Sequence, residues 1–298
     1  MSEVQRSYIL EIKEWFDEML VEFLDRYEDI DLHPHLEHAL LSKGKRVRPI
    51  VVVLAAESMG GSRNDVADLA LALELVHTAS LVHDDIIDHE ELRRGLPSVR
   101  TKWSPDDALL AGDVLIALAM ELVSAFHPTI IRKMAHAAFE LAYGEYLELH
   151  FHLSETTEEQ YFAMIQKKTT TLFRSAVECV ALHVGGEKRT IDALSTFASN
   201  FGYAYQLRDD LAGLQLVPEK KQENVENLRV SLPLIHSYSV SDRETGQQLL
   251  DLLHQFRDSN GHSPLPKLRK LLEETHSIQY CLQAWGEYLH KARDALTP

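Results

Sequence analysis

Apolar residues recur along nearly the whole chain at a spacing of about 3.6 residues, which places them on one side of a helix. The pattern predicts helices over residues 9–24, 35–41, 49–59, 64–87, 106–126, 129–153 and 158–184. It continues over residues 190–214, 232–238, 244–259 and 277–296. Alternating strand patterns bounded by hairpin turns are essentially absent. Breaks fall at Gly60-Gly61-Ser62, His127-Pro128, Gly185-Gly186 and Asn260-Gly261, where glycine and proline punctuate the chain. Ser154, followed by Glu158 and Glu159, reads as the cap of the long helix running to Val184. No linker, repeat or low-complexity tract divides the sequence. The reading is one all-α domain over residues 1–298, built from roughly ten or more helices.

Two stretches, 69–87 and 177–184, are apolar over much more than one stripe. Such helices sit at the centre of a helical domain or against a partner subunit. A bundle of this size with buried central helices has room for a central apolar cavity. No apolar run is expected to cross a bilayer, and Met1-Ser2-Glu3-Val4-Gln5 lacks the features of a secretory signal.

The chemistry begins where the most apolar helix ends, at Leu81-Val82-His83-Asp84-Asp85-Ile86-Ile87-Asp88, followed by Arg93-Arg94-Gly95. On a helix Asp84 and Asp88 point the same way, with Asp85 turned about 100° from Asp84. Neighbouring carboxylates in an apolar setting resist ionisation unless something neutralises them. A hard divalent cation such as Mg²⁺ does so, and it shares its shell with substrate phosphates. The adjacent arginine pair would hold those phosphates, so the segment points to diphosphate chemistry. A second pair, Gln206-Leu207-Arg208-Asp209-Asp210, again follows an apolar and aromatic run. If both helices line one cavity, Asp209 completes the metal site.

Composition narrows the partners. The 298-residue chain is 45% hydrophobic and carries a formal charge of −16, which argues against nucleic acid. The basic clusters Lys43-Lys45-Arg46-Arg48, Arg93-Arg94 and Lys167-Lys168 therefore stand out as local anion sites, although ordinary solvated charge runs give the same pattern. Cys179 and Cys281 are far apart in sequence, which favours a reducing cytoplasm over a disulfide framework. His77, His83 and His89 do not share a helical face, and their oxygen-rich surroundings favour Mg²⁺ over zinc or iron.

The motifs together resemble the trans-isoprenyl diphosphate synthase, or polyprenyl synthetase, family. The similarity rests on Gly44-Lys45-Arg46-Val47-Arg48-Pro49, on Asp84-Asp85-Ile86-Ile87-Asp88 with Leu92-Arg93-Arg94-Gly95, and on Leu110-Ala111-Gly112-Asp113. Lys168-Thr169 before Leu172-Phe173, and Gln206 before Asp209-Asp210, complete the series. The resemblance implies an isoprenoid-synthase-type helical bundle. It also implies a Mg²⁺-dependent condensation of isopentenyl diphosphate with an allylic diphosphate. Asp84 and Asp88 would bind two ions gripping the allylic diphosphate, and Asp209 a third. Arg93 and Lys168 would contact that diphosphate, while Lys45, Arg48, His77 and Arg94 would bind isopentenyl diphosphate. Thr169 and Gln206 would flank the reacting carbons. A homodimer is the family expectation, with a heteromer as the alternative.

The chain also departs from the family pattern. Gly213 occupies the position of the last carboxylate of the second motif, where glycine costs about 1 kcal/mol of helix propensity. Downstream, Lys220-Lys221, Asn224 and Arg229 precede Ser231-Leu232-Pro233 in place of the usual two-lysine loop. Lys220 and Arg229 would keep the positive charge for substrate, although Arg for Lys changes the geometry at a phosphate. In the family a bulky aromatic four or five residues before the first motif closes the cavity. Small Ser80 and Ala79 at those positions make the resemblance imply a deeper pocket and a product of about C20 or longer, such as geranylgeranyl diphosphate, unless a residue within 110–122 blocks it. A diverged prenyltransferase acting on a peptide, a class I terpene cyclase, and a non-catalytic or partner-dependent subunit are the competing readings. Intact Lys45, Arg48 and Arg94 favour the chain-elongating enzyme.

Overall fold

The computed structural model describes residues 3–42, 44–216, 228–258 and 264–297. Among them the chain is helical almost throughout, as its periodicity predicts. Contacts group the residues into two compact units, Met1–Phe139 with Leu172–Ser195, and Glu140–Thr171 with Thr196–Pro298. The boundaries of these units fall inside helical stretches, where no change of composition marks them.

The first unit contains α1 (Glu3–Asp25), α2 (His33–Leu41), α3 (Val47–Ser58) and α4 (Ala67–Ile87), the last preceded by a 3₁₀ turn over Asn64–Val66. A two-residue hairpin, β1 (Leu92–Arg93) and β2 (Leu96–Pro97), leads into α5 (Val99–Lys102) and α6 (Pro105–Val123). Next comes α7 (Pro128–Leu149), and after α8 (Glu158–Ile165) the chain re-enters this unit with α9 (Thr171–Val184). At the start of α6, Ser104 Oγ accepts from the Asp107 N–H at 3.0 Å and Pro105 opens the first turn, the side-chain chemistry expected of a helix start.

Helix α4 is the core of this unit. Leu69, Leu73 and Leu75 have no exposed surface, and burying each stabilises the fold by roughly 1.5–3 kcal/mol. It packs chiefly on α6, with α3 and α5 also against it. By length and composition alone residues 64–87 would pass for a bilayer-spanning segment, but 67% of their most apolar stretch is buried against the protein itself.

The second unit contains α8, then α10 (Lys188–Gly213), α11 (Leu232–Val240), α12 (Arg243–Asp258), α13 (Leu265–Glu274) and α14 (Ser277–Ala295). Tyr161, Ile165, Leu207, Leu211, Leu232 and Leu268 belong to its core. Three sequence expectations change here. Thr157, rather than Ser154, caps α8, in a reciprocal box with Gln160. The long helix expected over 158–184 is interrupted by one π-helical turn, Gln166–Thr170. Helix α13 was not anticipated at all.

Candidate active site

In the first unit the chemistry gathers at the end of α4. Asp88 closes the helix, its N–H bonded to the Asp84 carbonyl at 2.8 Å. Asp84 and Asp88 are half-buried, whereas Asp85 is 3% exposed. Asp85 turns to Arg93, whose Nε donates to Oδ1 at 2.7 Å and whose Nη2 reaches the same oxygen. Burial, aided by the Asp88 charge, lifts the Asp85 carboxyl above its ordinary range against the pull of Arg93. The three carboxylates thus divide into one arginine anchor and a solvent-accessible pair.

The hairpin brings the second arginine into place. Arg94 and Gly95 form its turn with φ of 56° and 78°, the left-handed pair that a two-residue hairpin requires. Arg94 Nη1 donates to the carbonyl and hydroxyl oxygens of Ser42, each at 3.2 Å. A Cβ on Gly44 would lie 2.7 Å from Arg94 Nη1, so glycine there permits the guanidinium to cross the Gly44-Lys45-Arg46 segment. Arg46, in the left-handed region at φ 51°, is the buried anchor of that segment. It pairs with Glu74 at 2.8 Å and Asp17 at 2.7 Å, and donates to the Leu40 carbonyl. Sequence reasoning gave Arg46 no role of its own.

Lys45 is exposed, while Arg48 is buried with its guanidinium 4.9 Å from the centre of the Phe173 ring. His77 is half-buried on α4. Burial and the charges of Arg48, Arg94, Arg93 and Arg46 hold its imidazole well below the ordinary value. His83 serves packing: it fills the space over Gly112, where a Cβ would strike its ring, and bonds the Leu109 carbonyl at 3.1 Å. That contact explains why the Leu110-Ala111-Gly112-Asp113 motif needs its glycine.

In the second unit the π-helical turn is the centre. A Cβ on Gly144 of α7 would come within 2.7 Å of the Lys168 Cα, and one on Gly202 of α10 within 2.7 Å of the Thr170 Cα. Two glycines thus allow two helix backbones to close on the turn. Such turns recur at functional sites, but nothing in Gln166-Lys167-Lys168-Thr169-Thr170 alone announces one. From the turn, Thr169 Oγ1 donates to Gln206 Oε1 at 2.7 Å, and Gln206 Nε2 donates to Asp210 Oδ1 at 2.9 Å. Tyr161 donates its hydroxyl to Asp210 Oδ2. Burial pushes the Asp210 carboxyl up to about 7, helped by the charges of Glu148 and Asp209 and opposed by the Tyr161 and Gln206 bonds.

Asp209 is half-buried beside this network, one turn before the exposed Gly213 that ends α10. Lys168 meets Glu145 and Glu148 of α7, as does Arg229; sequence reasoning did not single out either glutamate. Lys220 lies outside the described residues. Among the described residues, no three His, Cys, Asp or Glu side chains form a ready-made metal cage. Asp84 and Asp88 instead offer two hard oxygen donors on one helix face, which fits Mg²⁺ completing its shell with phosphate and water oxygens.

Paired carboxylates at the end of an apolar helix, beside converging arginines on an all-helical scaffold, define an enzyme built for diphosphate chemistry. The sequence profile of the polyprenyl synthetase family matches residues 31–270. The chain is 35% identical over 248 residues to the geranylfarnesyl diphosphate synthase of Methanosarcina mazei, covering 82% of this chain and 83% of the relative. Its fold is similar to the crystal structure of geranylgeranyl pyrophosphate synthetase from Pyrococcus horikoshii, with a TM-score of 0.87 at 30% identity over 99% of this chain and 93% of that one. A polyprenyl synthase from Caulobacter crescentus, complexed with calcium and isoprenyl diphosphate, also gives 0.87, at 28% identity over 97% and 89%. This chain belongs to the polyprenyl synthetase family and is a trans-prenyltransferase.

Proposed function

We propose that the protein condenses isopentenyl diphosphate with an allylic diphosphate, in a Mg²⁺-dependent reaction, to give an all-trans polyprenyl diphosphate of about C20 or longer. The observation that carries this reading is the placement of Asp84 and Asp88 on one face at the end of α4, with Arg93 and Arg94 set beside that helix end by the hairpin. A single-phosphate substrate would not call for so many cations around one helix end.

Asp84 and Asp88 would hold Mg²⁺ for the allylic diphosphate, and Asp209 would supply a further carboxylate ligand. Arg93, steadied by Asp85, and Lys168 contact that diphosphate. Lys45, Arg48, His77 and Arg94 bind isopentenyl diphosphate. Held by these carboxylates, Mg²⁺ would supply positive charge toward the leaving pyrophosphate. Breaking the allylic C–O bond leaves a carbocation, which the oxygens of Thr169 and Gln206 flank and stabilise. The isopentenyl double bond attacks this cation, and a proton leaves to the departing pyrophosphate. Apolar walls keep water from quenching the cation.

Ala79 is fully buried and Ser80 half-buried, and their small side chains support a product of the proposed length. The relatives named for geranylfarnesyl and geranylgeranyl products fit that length. The calcium and isoprenyl diphosphate of the Caulobacter crescentus structure support a divalent ion. Along α7, Phe139, Tyr143, Tyr146 and Leu149 are 41–60% exposed, an apolar row suited to a second copy of this chain, so we read the enzyme as a homodimer. Its free, buried Cys179 and Cys281 fit a reducing cytoplasm. Product analysis with geranyl and farnesyl diphosphate as primers tests the length assignment: products of C20 or above support it, and arrest at C15 overturns it.

A further inference from the structure

Lys168 and Arg229 are held by the same two glutamates. Glu145 and Glu148 lie one turn apart on α7, each with a side chain 8% exposed. Lys168 Nζ donates to Glu148 Oε2 at 2.7 Å and also meets Glu145 Oε2. Arg229 closes the ring, with Nη2 2.8 Å from Glu145 Oε1 and Nη1 2.7 Å from Glu148 Oε2. Two positive and two negative charges thus neutralise one another in a largely buried cluster. The backbone fixes it: Gly144 lets α7 approach the π-helical turn closely enough for Lys168 to lie over Glu145 and Glu148.

We propose that Glu145 and Glu148 are specificity-determining residues that occupy Lys168 and Arg229 in place of a diphosphate, setting the charge a ligand must bring to displace them. The inference rests on the reading that Lys168 serves the allylic diphosphate. A buried ammonium or guanidinium with two carboxylate acceptors gains nothing by exchanging them for a weaker anion, because the glutamates left behind lose their partners. A monophosphate brings at most the charge the two glutamates already supply. A pyrophosphate brings more, with oxygens spread over two phosphorus centres that can engage both cations. Discrimination then comes from the competing acids as much as from the cations, a repulsive element built into the site. The same acids reclaim the cations after reaction and assist pyrophosphate release.

The test measures binding of inorganic phosphate and inorganic pyrophosphate to the full chain by calorimetry. Native protein is compared with Glu145→Gln, Glu148→Gln and Lys168→Gln, each checked for native helix content. Either glutamine variant is expected to tighten phosphate binding by about tenfold, the effect of removing one charged competitor. Pyrophosphate should tighten less, and the KM for isopentenyl diphosphate should stay at the native value. If a folded glutamine variant binds phosphate no more tightly than native protein, the glutamates are structural and the proposal is wrong. Should Lys168→Gln bind pyrophosphate as well as native protein, the substrate role of Lys168 fails, and the proposal with it.

Discussion

Arg93 donates through Nε to Asp85 Oδ1 at 2.7 Å, which separates the first acidic trio into a buried carboxylate that holds an arginine and two half-buried ones with solvent access. Asp85 and Arg93 form one unit; Asp84 and Asp88 form another. Replacing Asp85 therefore differs in kind from replacing its neighbours. Asp85→Asn removes the charge that fixes Arg93 and is expected to cost about 1–3 kcal/mol of stability. It should raise the KM for the allylic substrate while leaving that for isopentenyl diphosphate unchanged. Thermal denaturation and steady-state kinetics check this; equal rises in both KM values would show that Arg93 is not assigned to one substrate.

Gly144 and Gly202 let two helices close on the π-helical turn. Gly144→Ala places a methyl against the Lys168 backbone, and overpacking of this kind costs about 1–3 kcal/mol. Turnover should fall more than stability, because the displaced turn carries Lys168 and Thr169. Gly286 within α14, whose Cβ would meet nothing within 4 Å, supplies the control: Gly286→Ala should keep native turnover and gain up to about 1 kcal/mol of stability.

The neutral state of His77 has a pH signature. Its folded-state pKa lies below the ordinary 6.5, so on acidification the unfolded chain takes up this proton before the folded one does. The protonated unfolded state is then favoured, and stability is lost as pH falls below about 6.5. His77→Gln abolishes that contribution. Denaturant midpoints at pH 7.5 and 5.5 should converge more in the variant than in native protein; an identical acid loss in both would contradict the burial of a neutral imidazole.

Gly213 stands where the last carboxylate of the second motif is expected. It is exposed at the end of α10, and a Cβ there would meet nothing within 4 Å. Gly213→Asp should fold normally and preserve or raise turnover. A large loss would mean that the glycine itself is needed.

Much of this arrangement was legible in the sequence. The shared face of Asp84 and Asp88 follows from helical spacing, and the buried character of α4 from its apolar composition. The cap at Thr157 was readable too, since Gln160 stands three residues on; Ser154 drew attention away from it. The start of α13, with Pro264 and Pro266 around Leu265, hid a helix whose Leu265, Leu268 and Leu272 are buried. The hairpin at Arg94-Gly95 is too short to produce an alternating pattern. The π-helical turn and the Arg46–Glu74 pair were not readable, because packing over long sequence separations creates them. The same holds for the clustering of Glu145, Glu148, Lys168 and Arg229, whose members are up to 84 residues apart, as with Glu145 and Arg229.

The most direct measurement runs native protein and Asp84→Ala side by side with Mg²⁺, radiolabelled isopentenyl diphosphate and farnesyl diphosphate. The account predicts longer all-trans polyprenyl diphosphates from the native enzyme and near-complete loss of turnover in the variant. A native chain that elongates no allylic primer, or an Asp84→Ala variant with full activity, would contradict it.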